Sequence, residues 1–305
     1  MNIIADLHTH TVSSGHAYST LMENIGSAMG KGLQFLGVSD HAPALAGAPE
    51  KTFFDNLGVV RRYQGALKVM HGVELNILNE YGDIDLPDDS LSQLDYAIAS
   101  LHDTVFPEKK MGYCTDAAIA AMSNPYVYIL GHPDDDYTPF NYEALVSASK
   151  RFHVALEVNN ASLCPRSFRK GAAKNYIRML GLAKKLGAPI IVSSDSHISY
   201  DIGNFTNALN LLYKIDFPKE LVVNSSHSRL YEFFTNRKNA ALSASEIKLR
   251  EALTNEMVHG CNRDFAQNQG EKHSSIASIF NDESGQNNIS GMRQRFNQRF
   301  LKRVV

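Results

Sequence analysis

Cysteine is scarce, long apolar runs are missing, and neither sign of charge dominates. The three cysteines, Cys114, Cys164 and Cys261, are too few and too widely spaced for a disulfide framework and point to a reducing compartment. No apolar run approaches the ~18–20 residues of a membrane span. The start, MNIIADLHTH, lacks the basic segment and long apolar stretch of a secretory signal, so a cytoplasmic location is expected. A net charge of −2 carries no electrostatic signature of a nucleic-acid surface, and no such partner is expected. No GxGxxG follows the first apolar run, against a dinucleotide fold.

What the sequence does have is alternation. Across its 305 residues the composition is that of a globular chain, 44% hydrophobic and 20% charged. Apolar β-type runs fall at 3–8, 34–41, 67–75, 94–102, 126–132, 153–159 and 189–197. Continuous stretches such as YVYIL and PIIV read as parallel strands covered on both faces. Helical segments intervene, the first opening on a capping box from Thr20 to Glu23. This predicts an α/β fold over 1–238, with seven strands closing into a barrel.

After residue 238 the texture changes, and residues 239–305 read as a C-terminal extension. LSASEIKLREALTNEM suits one helix, with Ser243 and Glu246 as a capping box. The next stretch is rich in Asn, Gln, Ser and Gly and is expected to be poorly ordered. The basic end spaces Met292, Phe296, Phe300 and Val304 by four; it reads either as a contact for a partner or anionic membrane, or as an extension packing on the barrel.

Twelve histidines are present, and they are not scattered. Run after run ends in histidine, acid or both: His8 with His10 and His16 just beyond, His41, Glu74, His102, His132, then Asp195 with His197. In a parallel barrel these ends meet at one mouth. Seven imidazoles and two carboxylates converging there call for metal, Zn²⁺ or alternatively Mn²⁺ or Fe²⁺. The set exceeds what one ion needs, so two or three ions bridged by Glu74 are expected. Asp6, one step deeper on the first strand, suits accepting a ring N–H from a ligand histidine. His71 should face away from Glu74, His153 lies at a strand start, and His227, His259 and His273 lie outside the pattern.

The motifs DLHTHT, SDH, GVE, SLH, GHP and SDSH resemble those of the polymerase and histidinol phosphatase (PHP) family, from residue 3 to about 235. HTHTVSSGHAYSTL, LEVNNAS and FRKG are most similar to its YcdX-like phosphatase branch. The resemblance implies a distorted seven-stranded barrel and a trinuclear site, usually zinc. It implies His8, His10, Glu74 and Asp195 on one ion, Glu74, His102 and His132 on the second, and His16, His41 and His197 on the third. It also implies a homotrimer.

Hydrolysis of a small phosphate monoester by a metal-activated water fits this constellation best. Asp195 and His197 are the candidate proton donors. Asn159, Asn160, Arg166, Arg169 and Lys170, in the loop after the sixth strand, are either substrate contacts or ordinary loop residues. A phosphodiesterase or nuclease, a histidinol phosphatase, and a non-catalytic metal-binding module are the alternatives.

Overall fold

The apolar runs contain the parallel strands, but the run at 67–75 divides into two, and a short strand at Tyr63–Gln64 lies outside every run. The computed structural model describes residues 1–106 and 108–241, which belong to one compact unit, Met1–Ser245; the expected extension therefore lies almost wholly outside the described residues. The strands are β1 (Ala5–Asp6), β2 (Phe35–Val38), β3 (Tyr63–Gln64), β4 (Leu67–His71), β5 (Glu74–Asn76), β6 (Ala97–Ser100), β7 (Val127–Leu130), β8 (Ala155–Asn159) and β9 (Ile190–Ser193). The helices are α1 (Leu21–Gly30), α2 (Lys51–Asp55), α3 (Asp88–Leu91), α4 (Met111–Met122), α5 (Tyr142–Phe152), α6 (Ala172–Leu186), α7 (Thr206–Lys214) and α8 (227–241). Thr20 and Glu23 form the expected reciprocal cap on α1. The expected domain boundary at residue 238 falls inside α8. Among the described residues no helix is long and apolar enough to cross a membrane.

Alternation along each strand separates two cores. Ala97, Ala99 and Leu101 around β6, Leu156 and Val158 of β8, and Ile190 and Val192 of β9 join an outer core with the helices. The opposite face begins apolar, with Ile98, Ala155 and Ile191 in an inner core. Two residues along it turns polar (Ser100, Glu157, Ser193), and two further on it reaches His102, Asn159 and Asp195. This period of two delivers functional groups to the C-terminal strand ends while the opposite end stays apolar.

Helix α8 closes that apolar end. Its Leu230, Phe233 and Phe234 belong to the inner core, and Phe234 stacks on Tyr128 at 5.0 Å between ring centroids. Arg237, 1% exposed, donates to the carbonyls of Met122, Asn124, Val127 and Phe152, so its charge rests on the C-terminal end of α4 and the loop beyond it.

The predicted single ring is not continuous. The strands form a four-stranded sheet, β1-β2-β4-β3, and a five-stranded sheet, β5-β6-β7-β8-β9. All pairings are parallel except β3 with β4. Isolated parallel bridges, Thr9 to Ser196 and His41 to Glu74, link the sheets. The break between β4 and β5 falls at Gly72, against which the Tyr96 ring packs so closely that any Cβ would lie 2.4 Å from it. At the other seam Asn224 replaces strand pairing. Its Nδ2 donates to the carbonyls of Ala5 (2.8 Å) and Val192 (2.7 Å), and its backbone carbonyl accepts from Ile4 N–H. Asn224→Leu leaves these buried groups unpaired and is expected to cost about 2–4 kcal/mol in urea unfolding; a loss within experimental error contradicts the stapling role.

Candidate metal centre

Glu74 stands at the centre of the mouth, fully buried. Its Oε2 lies 2.7 Å from His41 Nδ1, 3.2 Å from His8 Nε2 and 3.5 Å from His10 Nε2. Its Oε1 lies 2.9 Å from His132 Nε2 and 3.2 Å from His102 Nε2, and accepts from Ser100 Oγ at 2.7 Å. One carboxylate thus faces imidazoles from four strand ends through two oxygens. Asp195 Oδ1 completes the inner group, 3.1 Å from His10 Nε2 and 3.5 Å from His8 Nε2. His16 and His197 form the rim, their Nε2 atoms 3.1 Å apart. His132 (φ 27°) and Asp195 (φ 52°) both adopt left-handed backbone, a cost typical of residues held for function.

Whether these residues fit a metal is answered by their unpartnered atoms. His8 Nε2, His41 Nδ1 and Glu74 Oε2 are buried without a hydrogen-bond partner. They converge on one another, and such a set is costly unless a cation joins it. Four overlapping triads have ligand atoms within 4.8 Å: His10/His41/His197, His8/His132/Asp195, His8/His10/Glu74 and His41/Glu74/His102. Neutral imidazole and carboxylate are the donors zinc, manganese and iron accept. The triads cut across the three-ion partition, since His41 stands with Glu74 and His102 as well as with His10 and His197.

The electrostatics agree. Burial alone would raise the Glu74 and Asp195 carboxyls, but the facing histidines, His8 first, hold both well below the usual range. Burial would lower His8, yet the charges of Glu157, Glu74 and Asp195 overcome it and hold its pKa well above the ordinary value. Burial, with His41 and His197 nearby, holds His10 neutral. Without metal a proton on His8 answers the carboxylates; a cation bound there would displace it.

Side chains behind the ligands fix their orientation. Glu157 accepts from His8 Nδ1 (2.7 Å), His132 N–H (2.7 Å), Ser193 Oγ and Asn159 Nδ2 (3.3 Å), joining four strand ends. Asn76 Oδ1 lies 2.7 Å from His102 Nδ1. Asp40 accepts from Thr11 N–H (2.7 Å) and Ser14 Oγ (2.7 Å), pinning the turn that leads to His16. Asp6 does not take the role expected of it. At the β1–β9 seam it accepts from Ser194 N–H, Ser194 Oγ and Gly203 N–H, holding the turn that carries Asp195. Burial raises its pKa to about 6. Glu157 was missed, although a lone carboxylate inside the apolar stretch ALEV is itself a signal.

The loop candidates separate. Asn159 Nδ2 donates to Asp195 Oδ2 at 2.9 Å, within the site. Asn160 turns away, its Oδ1 accepting from Asn207 and Ala208 N–H in the first turn of α7. Arg166 and Lys170 are exposed. Arg169 is largely buried beside Asp134, and its charge reaches His132. His71 packs against the Val60 carbonyl, and His153 caps α5 in left-handed conformation.

In the metal-free chain, burial first and Arg169 second lower the His132 pKa from 6.5 to about 4. Between those pH values the unfolded chain takes up a proton that the folded chain refuses. Stability contributed by neutral His132 is therefore complete above pH 6.5 and lost as pH falls toward 4, by up to about 3 kcal/mol. Asp6 opposes this between 3.8 and about 6, where the folded chain holds the extra proton. Urea unfolding of chelated protein across this range should show a shallower acid dependence in His132→Gln than in wild type; parallel curves contradict the assignment.

An α/β scaffold gathers imidazoles and carboxylates around unpartnered ligand atoms at its strand ends, an arrangement that could hold metal. No family model matches the chain. A probable phosphatase of Caldanaerobacter subterraneus subsp. tengcongensis is 39% identical over 239 residues, 78% of this chain and 93% of that protein. A probable phosphatase of Clostridium acetobutylicum is 41% identical over 233 residues, 76% of this chain and 95% of that protein. The chain belongs to this family of probable phosphatases. In fold it is similar to a histidinol phosphate phosphatase from Lactococcus lactis subsp. lactis Il1403, solved with zinc, L-histidinol and phosphate: TM-score 0.51, 16% identity, 72% of this chain and 95% of that one.

Proposed function

We propose that the chain is a metal-dependent phosphomonoesterase of the PHP type, closest to the YcdX-like branch, with its parallel strands, β4 and β5 counted as one, acting as a distorted seven-stranded barrel. The observation that carries this reading is the buried Glu74 carboxylate, whose two oxygens face two groups of imidazoles. His8, His10, Glu74, Asp195, His102 and His132 would hold two ions, and His16, His41 and His197 a third, with zinc the first candidate. When bound, such ions would offset charge on the phosphoryl oxygens and lower the pKa of a water so that it can attack phosphorus as hydroxide.

The chain's own groups do the rest. Asn159 and Glu157 hold Asp195 and His8 in place. Asp195, held ionised, has no proton to give and serves as a ligand. His197, with a side chain 31% exposed at the rim, would deliver a proton to the leaving oxygen when it is not holding the third ion. Arg169, the basic loop side chain that is drawn into the site, would bind a phosphoryl oxygen.

Purified protein should hydrolyse p-nitrophenyl phosphate and lose the activity to a chelator, with recovery on adding zinc, manganese or iron; no turnover with any of the three refutes the reading. The proton-delivery role gives a separate outcome. His197→Asn should slow alkyl phosphates at least about tenfold more than p-nitrophenyl phosphate, whose leaving group needs no proton. Equal losses on both substrates would leave His197 as a ligand alone.

A further inference from the structure

The loop after β7 reads His132-Pro133-Asp134-Asp135-Asp136, and the loop after β8 contains Arg166, Arg169 and Lys170. The two are stitched together. Asp135 Oδ1 accepts from Lys170 N–H at 3.2 Å, and Asp136 N–H donates to the Lys170 carbonyl at 2.9 Å. Asn175 Nδ2 donates to the Asp134 carbonyl and to Asp136 Oδ1, each at 2.8 Å. Gly171, at φ +73°, lies so close to the Asp136 carboxylate that a Cβ would stand 2.3 Å from it. The consequence is selective. Arg166 and Lys170 stay in solvent, while the Arg169 side chain is only 11% exposed, its Nη1 3.6 Å from Oδ1 of the fully buried Asp134.

We propose that Asp134 is a positioning residue for substrate binding: it anchors one edge of the Arg169 guanidinium so that the other edge meets the phosphoryl group beside His132. This rests on the phosphomonoesterase reading. A guanidinium is a planar fork with five donors, so one edge can be held while the other binds a ligand. Asp134 lies two residues past His132, so the guanidinium it faces stands near that ligand, and its charge is felt at His132, Asp195 and Glu74. An arginine without an anchor so near a metal cluster would be repelled by bound cations and swing to solvent; Asp134 supplies the opposing charge. The ligand class is a terminal phosphate, inorganic phosphate included.

The test is a double-mutant cycle on metal-loaded enzyme, reading KM and kcat for p-nitrophenyl phosphate, the inhibition constant of inorganic phosphate, and metal content. Asp134→Asn is expected to raise both KM and the phosphate inhibition constant about tenfold, with kcat and metal content within about twofold. Arg169→Ala should do at least as much, and the double variant no more than Arg169→Ala alone. Unchanged constants in Asp134→Asn, or losses that multiply in the double variant, overturn the proposal. Asp134→Glu keeps the charge but displaces it, and should raise both constants severalfold with metal retained; unchanged values there also overturn it. Calorimetric binding of inorganic phosphate to wild type and variants needs no turnover. A wild-type chain that binds phosphate through Asp134 and Arg169 yet hydrolyses no monoester would refute the phosphomonoesterase reading alone.

Discussion

Glu74→Gln is expected to strip the chain of the ions that Glu74 shares and to cut phosphomonoester turnover on the order of 10³-fold or more. Five imidazoles stand within 3.5 Å of the two carboxylate oxygens. Gln matches Glu in shape but removes the charge those imidazoles and any bound cations share. It also turns one acceptor into a donor, set against either Oε1's partners or Oε2's. Neither orientation serves both sides, so raising the metal concentration should not restore the rate. Metal content and turnover at rising zinc measure this directly. Full activity at saturating metal would show that Glu74 is not the shared ligand.

Glu157→Gln should behave differently. This carboxylate touches no candidate ion directly, yet it receives His8 Nδ1, His132 N–H and the Ser193 hydroxyl. Its charge also sustains the raised pKa of His8. Losing an orienting partner of this kind typically weakens metal affinity about 10–100-fold. The amide brings an N–H against groups that themselves donate, so a lower melting temperature is also expected. Because the ligands themselves remain, saturating metal should return most of the activity. Affinity equal to wild type, or activity that excess metal fails to rescue, would contradict the positioning role.

The contrast between these two glutamates shows where the sequence speaks and where it is silent. Glu74 was legible because it lies near the end of the apolar run 67–75, where the neighbouring runs finish in histidine. Period-two alternation then set His8 with His10, and Asp195 with His197, on one side of their strands. Glu157 sits inside its run, and its partners on β1, β7 and β9 are brought near only by folding. Asp6 fits the same alternation as His8, but the seam with β9 captured it. Which basic residue after β8 enters the site was equally unreadable, since acids from another loop decide it. The parallel strands were visible as seven runs, one of which folds as both β4 and β5. The seams were not, because Asn224 and Tyr96 act across the fold and belong to no periodic pattern.

Native mass spectrometry of chain supplied with zinc, alongside the Glu74→Gln variant, counts the ions that Glu74 would share. Two or three ions per wild-type chain are expected, and at most one in the variant. A wild-type chain that binds one ion or none, or a variant as fully loaded as wild type, would contradict a shared metal centre built on Glu74.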